Sequence, residues 1–255
     1  MPQSRTRIPA TMCAAALALT LIACNAASPP TPISDNHGST YDTQPRALPD
    51  NRASDTPRNG PHRGNSRRNH AANNAQPGDF DFYLLNLSWS PEFCAARPAS
   101  PECAAHPGFV VHGLWPQNID GTYPENCSSA PGPANPSQYT DFIPTASLVV
   151  HEWATHGTCS GLAPDAYFGL IRRAFHAVRI PNALVNPTQP TMQPPADILG
   201  SFAQINTGFP PDSFALSCGN NYLTAIEVCL DKNLHPESCQ SVRTCHANSV
   251  KITPR

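Results

Sequence analysis

Pro144-Thr145-Ala146-Ser147-Leu148-Val149-Val150-His151-Glu152-Trp153-Ala154-Thr155-His156-Gly157-Thr158-Cys159 begins like a helix and stops like one. Pro144 and Thr145 read as a helix entry, and Gly157 is the residue with which helices commonly close, in a left-handed turn. A helix over residues 145–156 puts His156 in its last turn. There the negative end of the helix dipole favours a protonated ring, and Glu152, four residues earlier on the same face, orients that ring and supports its charge. The expectation is a basic imidazole.

Outward from this helix, strand-like runs over residues 82–89, 108–111, 214–217 and 223–229 alternate with a second helical stretch over 164–178. That stretch carries Arg172, Arg173 and His176, the last read as an ordinary surface residue, and its amphipathic pattern predicts packing on a sheet. The alternation predicts an α+β fold, a central, mainly antiparallel sheet flanked by helices, within one domain over residues 78–255.

A second run, Phe109-Val110-Val111-His112-Gly113-Leu114-Trp115-Pro116, holds another histidine beside Gly, Trp and Pro. Imidazole titrates near neutrality, so two of them flanking a substrate can take a proton on one side and return it on the other. A third, if charged, holds an anion. The rival reading is zinc, since His-Glu followed closely by His is a metalloprotease pattern. That pattern needs histidines four apart; His151 and His156 are five apart, about 140° around a helix. The residue types can also serve as satisfied polar groups near a core, with Trp115 and Trp153 as packing.

Both runs resemble the two active-site signatures of the ribonuclease T2 family, the acid endoribonucleases. The resemblance extends over roughly residues 78–250, through Asp81-Phe82-Tyr83-Leu84-Leu85-Asn86-Leu87-Ser88-Trp89 and Leu223-Thr224-Ala225-Ile226-Glu227-Val228-Cys229. It implies cleavage of single-stranded RNA by transesterification through a 2′,3′-cyclic phosphate, with no metal and no cofactor. Carried over by position, His156 is the general base on the ribose 2′-hydroxyl and His112 the general acid to the leaving 5′-oxygen. His151 binds the phosphate and Glu152 supports the charge balance. Trp115 and Tyr123 fall where the family stacks a base, and Gln117 where a polar partner flanks it. One position departs: the family's usual lysine before the last histidine is Thr155, which brings a hydroxyl and no charge. Losing one well-placed electrostatic group typically costs about 3 to 4 kcal/mol of barrier. Arg172, Arg173 or Arg243 could stand in for it in space.

The chain has ten cysteines, of which Cys13 and Cys24 lie in an N-terminal stretch that reads as a targeting signal, with Arg5 and Arg7 before an apolar run from Ala14 to Ala23. That run is short for a membrane span. Leu21-Ile22-Ala23-Cys24 resembles a bacterial lipoprotein signal, implying a signal over residues 1–23, lipid on Cys24 and a membrane-anchored periplasmic protein; a plain secretory signal cut near Ala26 is the alternative. Residues 24–77, rich in Pro, Asn, Ser and Arg, are expected to form a disordered tether, because they offer too little apolar surface to offset ordering. The other eight cysteines suit an oxidising compartment and allow 105 pairings. The family resemblance selects Cys94 with Cys103, Cys127 with Cys159, Cys218 with Cys245, and Cys229 with Cys239.

From residue 78 onward the chain has fourteen Asp and Glu against eight Arg and Lys. This acidic balance excludes the broad basic footprint that grips duplexes, so binding must be a few nucleotides wide and favoured in acid. The expectation is a monomeric exported endoribonuclease. The alternatives are a catalytically weakened RNA-binding or surface protein, marked by Thr155, and a zinc hydrolase.

Overall fold

The computed structural model describes residues 75–105 and 107–255. The signal, the lipidated Cys24 and almost all of the tether expected above lie outside the described residues.

Strand β1 (Phe82–Trp89) is antiparallel to β2 (Phe109–Gln117) on one side and to β5 (Tyr222–Leu230) on the other. β4 (Phe214–Gly219) returns along β5 through a tight hairpin. Its two turn residues, Asn220 and Asn221, have φ of 49° and 62°, the doubly left-handed turn that matches strand twist and that Asn tolerates. Two three-residue strands, β3 (Thr191–Gln193) and β6 (Val250–Ile252), pair with each other, and β6 meets β5 at the single parallel bridge Tyr222–Lys251. The sheet is thus mainly antiparallel, with helices α1 (Ser90–Ala96), α2 (Ala146–Thr155), α3 (Pro164–Ala177), α4 (Asn182–Val185) and α5 (Pro195–Ile205) around it. This is the α+β arrangement that the alternation of runs predicts.

Alternation along β1 decides which side of the sheet is which. Tyr83, Leu85, Leu87 and Trp89 enter the main core with Val111, Leu114, Ile226 and Val228. α3 lays Tyr167, Phe168, Ile171 and Ala174 into that core, as its amphipathic pattern requires, and α2 adds Leu148, Val149 and Trp153. Phe82 and Leu84 point the other way, into a small second cluster with Trp115, Ala215, Cys229 and Cys239. Between neighbours on that second side stand the polar residues Asn86 and Glu227, cross-strand partners, both buried.

The strand over 108–111 is longer than its apolar run suggests, because β2 continues through His112, Gly113 and Trp115 to Gln117. Thr145 caps α2 by accepting the Leu148 N–H at 3.1 Å, so the predicted entry is where the helix begins. Its end differs. α2 stops at Thr155, His156 keeps right-handed backbone (φ −115°), and Gly157–Cys159 continue as a 3₁₀ turn. Gly157 is not left-handed; it is glycine because a Cβ there would lie 2.5 Å from the Trp153 ring and 3.0 Å from Tyr167. The left-handed glycine comes later, at Gly161 (φ 76°).

Four disulfides join the described part of the chain in the pairs that the resemblance implies: Cys94–Cys103, Cys127–Cys159, Cys218–Cys245 and Cys229–Cys239. Cys127–Cys159, 32 residues apart, ties the loop after β2 to the turn after α2. In the chain-entropy picture a closure of that size contributes about 4 kcal/mol. The Asn126 N–H donates to the Thr155 carbonyl at 2.8 Å and fixes the same loop to the helix end.

Candidate active site

His112 reaches its place through an irregularity in β2. The pairing runs Asn86 to Gly113 and then Leu87 to Val111, so His112 is the extra residue of a β-bulge. Bulges re-aim side chains, and this one puts His112 and Gly113 together opposite Asn86, on the side of the sheet away from the main core.

α2 comes to that side through Glu152. Its Oε2 accepts the Trp115 indole N–H at 2.9 Å, and its Oε1 lies 3.4 Å from His112 Nδ1. The approach depends on Gly113: a Cβ there would fall 2.1 Å from Glu152 Oε2 and 2.3 Å from Trp115 Nε1. Glu152 is fully buried. Burial alone would raise its carboxyl, but the contact with His112, the neighbouring imidazole charges and the Trp115 bond together hold it below the ordinary carboxylate range.

His156 is 3% exposed, and its ring lies 5.4 Å from the Trp115 ring. Burial pulls its pKa down to about 4; Glu152 works against that, while His151 and His112 add to it. The dipole argument gave the opposite sign. A helix terminus is worth at most a kcal/mol or two, and desolvating a charged ring outweighs it. Glu152 supports charge on this ring from a distance, while its hydrogen bond and ion pair go to Trp115 and His112. His156 Nδ1 is buried and has no hydrogen-bond partner among the described residues. The arrangement yields one imidazole, His156, that burial keeps neutral and able to accept a proton, and a second, His112, with its Nδ1 3.4 Å from a carboxylate.

The remaining expected residues divide. His151 and Thr155 are half-buried on the same helix as Glu152, and Tyr123 is half-buried in the loop that Cys127 anchors. Gln117, also half-buried, ends β2 and turns its side-chain amide to the Pro116 carbonyl at 2.9 Å. Trp115 does not offer a face for base stacking: it is 2% exposed, bonded to Glu152 and packed against His156. A tryptophan one residue past Leu114 on a strand falls on the catalytic side but beneath it. Of the arginines, Arg172 is held by Asp141 (2.6 and 3.1 Å) and lies over the Phe142 ring, and Arg173 donates to the Gly169 carbonyl of its own helix at 3.4 Å. Neither contacts the three imidazoles.

Gly113 and Asn86 went unread in the sequence. The signal for them was there: a glycine directly after the histidine, and one polar residue in an otherwise apolar strand. Among the described residues no group of three or more His, Cys, Asp or Glu is arranged to hold a metal ion. A cleft of about 490 Å³ between Phe109, Phe142, Phe175, Leu184 and Arg255 is lined by neither the three histidines nor Glu152.

The sequence model of the ribonuclease T2 family matches residues 80–239. A protein named ribonuclease from Aeromonas hydrophila is 34% identical over 161 residues, which cover 62% of this chain and 74% of that one. Among solved structures, an RNase-related protein from Calystegia sepium superposes with a TM-score of 0.58 at 22% identity, covering 69% of this chain and 98% of that one. RNase NT, solved in complex with 5′-AMP, superposes with a TM-score of 0.57 at 22% identity, over 69% of this chain and all of that one. At these identities the structures speak for the fold.

Proposed function

We propose a mechanism from one premise: the chain belongs to the ribonuclease T2 family and is an endoribonuclease. The substrate is single-stranded RNA. His156 takes the proton of the ribose 2′-hydroxyl, the oxygen attacks the phosphorus, and His112 protonates the departing 5′-oxygen, leaving a 2′,3′-cyclic phosphate and a 5′-hydroxyl. The observation that supports this most is the different setting of two rings: His156 is buried and kept neutral, as a base must be, while His112 Nδ1 lies 3.4 Å from the Glu152 carboxylate. Glu152 acts through His112 and Trp115. His151 holds the phosphate and Tyr123 offers the base a ring, with Gln117 beside it. No step needs a metal or cofactor.

Thr155 leaves the developing charge on phosphorus without the lysine that the family usually places there, and Arg172 is committed elsewhere. Thr155→Lys is expected to raise kcat by up to about a hundredfold with little change in KM. The acid limb of kcat/KM should fall through about pH 4 in both proteins, because His156 loses its function as it gains a proton below that value. Steady-state kinetics on a short single-stranded RNA measures both. An unchanged kcat would mean that a missing charge does not limit turnover, and an acid limb near pH 6.5 would mean that His156 is not the base.

Export is supported by the N-terminal signature around Cys24 and by eight cysteines in four disulfides. Among the described residues no helix is long and apolar enough to cross a membrane. Lipid on Cys24 would tether the enzyme at the periplasmic side of a membrane, as a monomer. Cys24→Ser should move it from the membrane fraction to the soluble one; an unlipidated mature N-terminus beyond Cys24 would contradict the anchor.

A further inference from the structure

Glu227 is a buried carboxyl for which the mechanism above has no use. It is 1% exposed on β5, on the side of the sheet that carries His112 and Trp115. Its Oε1 accepts twice, from Ser217 Oγ of β4 at 3.0 Å and from Asn86 Nδ2 of β1 at 3.3 Å. Ser88 Oγ in turn lies 3.5 Å from Asn86 Oδ1. No ion pair reaches Glu227 among the described residues, and its hydrogen-bond partners are uncharged. Burial pushes it up to about 7, against the Ser217 and Asn86 bonds.

Its place in the register is what matters. Glu227 pairs with Asn86, and Asn86 pairs with Gly113, beside the bulged His112. Three strands in a row put Glu227 roughly 10 Å from the Gly113 backbone, at about 4.8 Å per strand. Ser88 and Ser217, both half-buried, flank it on the same side. The charged groups around this row are His112 and Glu152 beyond β1, and Arg243, which follows Val242 on the loop packed against the second apolar cluster. An RNA phosphodiester at His112 would meet a second buried negative charge across the sheet whenever Glu227 is ionised.

We propose that Glu227 is an electrostatic gate on substrate binding: in its neutral form it lets the RNA backbone lie on this face of the sheet, and in its ionised form it repels it. This rests on His112 being at the scissile phosphate. At about 10 Å through protein, one charge on another changes affinity by about three- to tenfold. The effect belongs to KM, since it acts on the bound phosphate and not on either proton transfer.

Two measurements on the full chain test it. Between pH 6 and 8 the KM of the wild type on a short single-stranded RNA should rise about three- to tenfold more than that of Glu227→Gln, with the same kcat profile. Ser217→Ala, which removes a donor to the carboxylate, should move the onset of that rise to higher pH. Carboxyl ¹³C NMR of glutamate-labelled wild type reads the gate without turnover and without a variant at Glu227. The DNA dinucleotide d(TpA), which lacks the attacking hydroxyl, should raise the midpoint of the Glu227 carboxyl by about half to one pH unit, by reciprocity of linkage. Superimposable KM profiles, a Glu227→Gln protein slower by the same factor at every pH, or a carboxyl indifferent to d(TpA) would each overturn the gate. If d(TpA) moves the carboxyl while cleavage survives loss of His112 and His156, the gate stands and the acid-base assignment falls.

Discussion

His112→Ala and His156→Ala are each expected to lower kcat on single-stranded RNA by about 10² to 10⁴, with KM much less affected. The two losses have different origins. His156 is a buried ring whose neutral form persists down to about pH 4, so on the proposed mechanism its removal takes away the base for the 2′-hydroxyl. His112 lies 3.4 Å from a carboxylate that is itself buried and anchored by Trp115, so on the proposed mechanism its loss removes the proton donor and leaves Glu152 with the Trp115 bond alone. Because each ring serves one side of the same displacement, the double variant should be little slower than the worse single one. Steady-state and single-turnover rates with the same RNA check this. Either single variant keeping more than a tenth of wild-type turnover would refute its role.

Gly113→Ala should be nearly as damaging without touching a titrating group. The added methyl would sit 2.1 Å from Glu152 Oε2 and 2.3 Å from Trp115 Nε1, and the strand holding Gly113 is paired to Asn86, so the Glu152–Trp115 pair must give way. Moving it breaks the 2.9 Å bond from Trp115 and draws the anion away from His112. Leaving a buried charge poorly paired costs about 3 to 5 kcal/mol, and kcat/KM should fall by about 10² as His112 loses its partner. Gly200→Ala is the control: nothing lies within 4 Å of a Cβ at that helical position, and stability there should hold or rise by about 0.5 to 1 kcal/mol. Urea denaturation together with kinetics distinguishes the two. A Gly113→Ala protein as stable and active as the wild type would mean that Glu152 needs no such close approach.

How much of this was legible depended on the range of the interaction. The eight residues of β1 and the cap of α2 are local: alternation and a threonine one turn ahead of the first buried leucine suffice. β3 and β6 are three residues each, too short to show a period, and exist because they pair across some sixty residues. α5 was missed because its buried residues are few, Ile198 and Phe202, and Gly200 and Ser201 interrupt the helical signal between them.

At the site, the identity of the histidines was readable and their electrostatics were not. A helix dipole can be inferred from sequence, whereas burial is set by what packs on the ring, in this case Trp115 from another strand. Trp115 itself was read as a surface for the base because one-dimensional spacing does not say whether a ring lies above or below a sheet; its 2% exposure does. The bulge is a mismatch between two strands, so neither strand shows it alone.

The most direct measurement is the chemistry of the new ends. Wild-type protein digesting a short single-stranded RNA at about pH 5 in excess EDTA, stopped early and resolved by mass spectrometry, should stay fully active and yield 2′,3′-cyclic phosphate and 5′-hydroxyl termini if His156 and His112 supply the base and the acid as proposed. Loss of activity on chelation, or fragments carrying 5′-phosphate, would contradict that assignment.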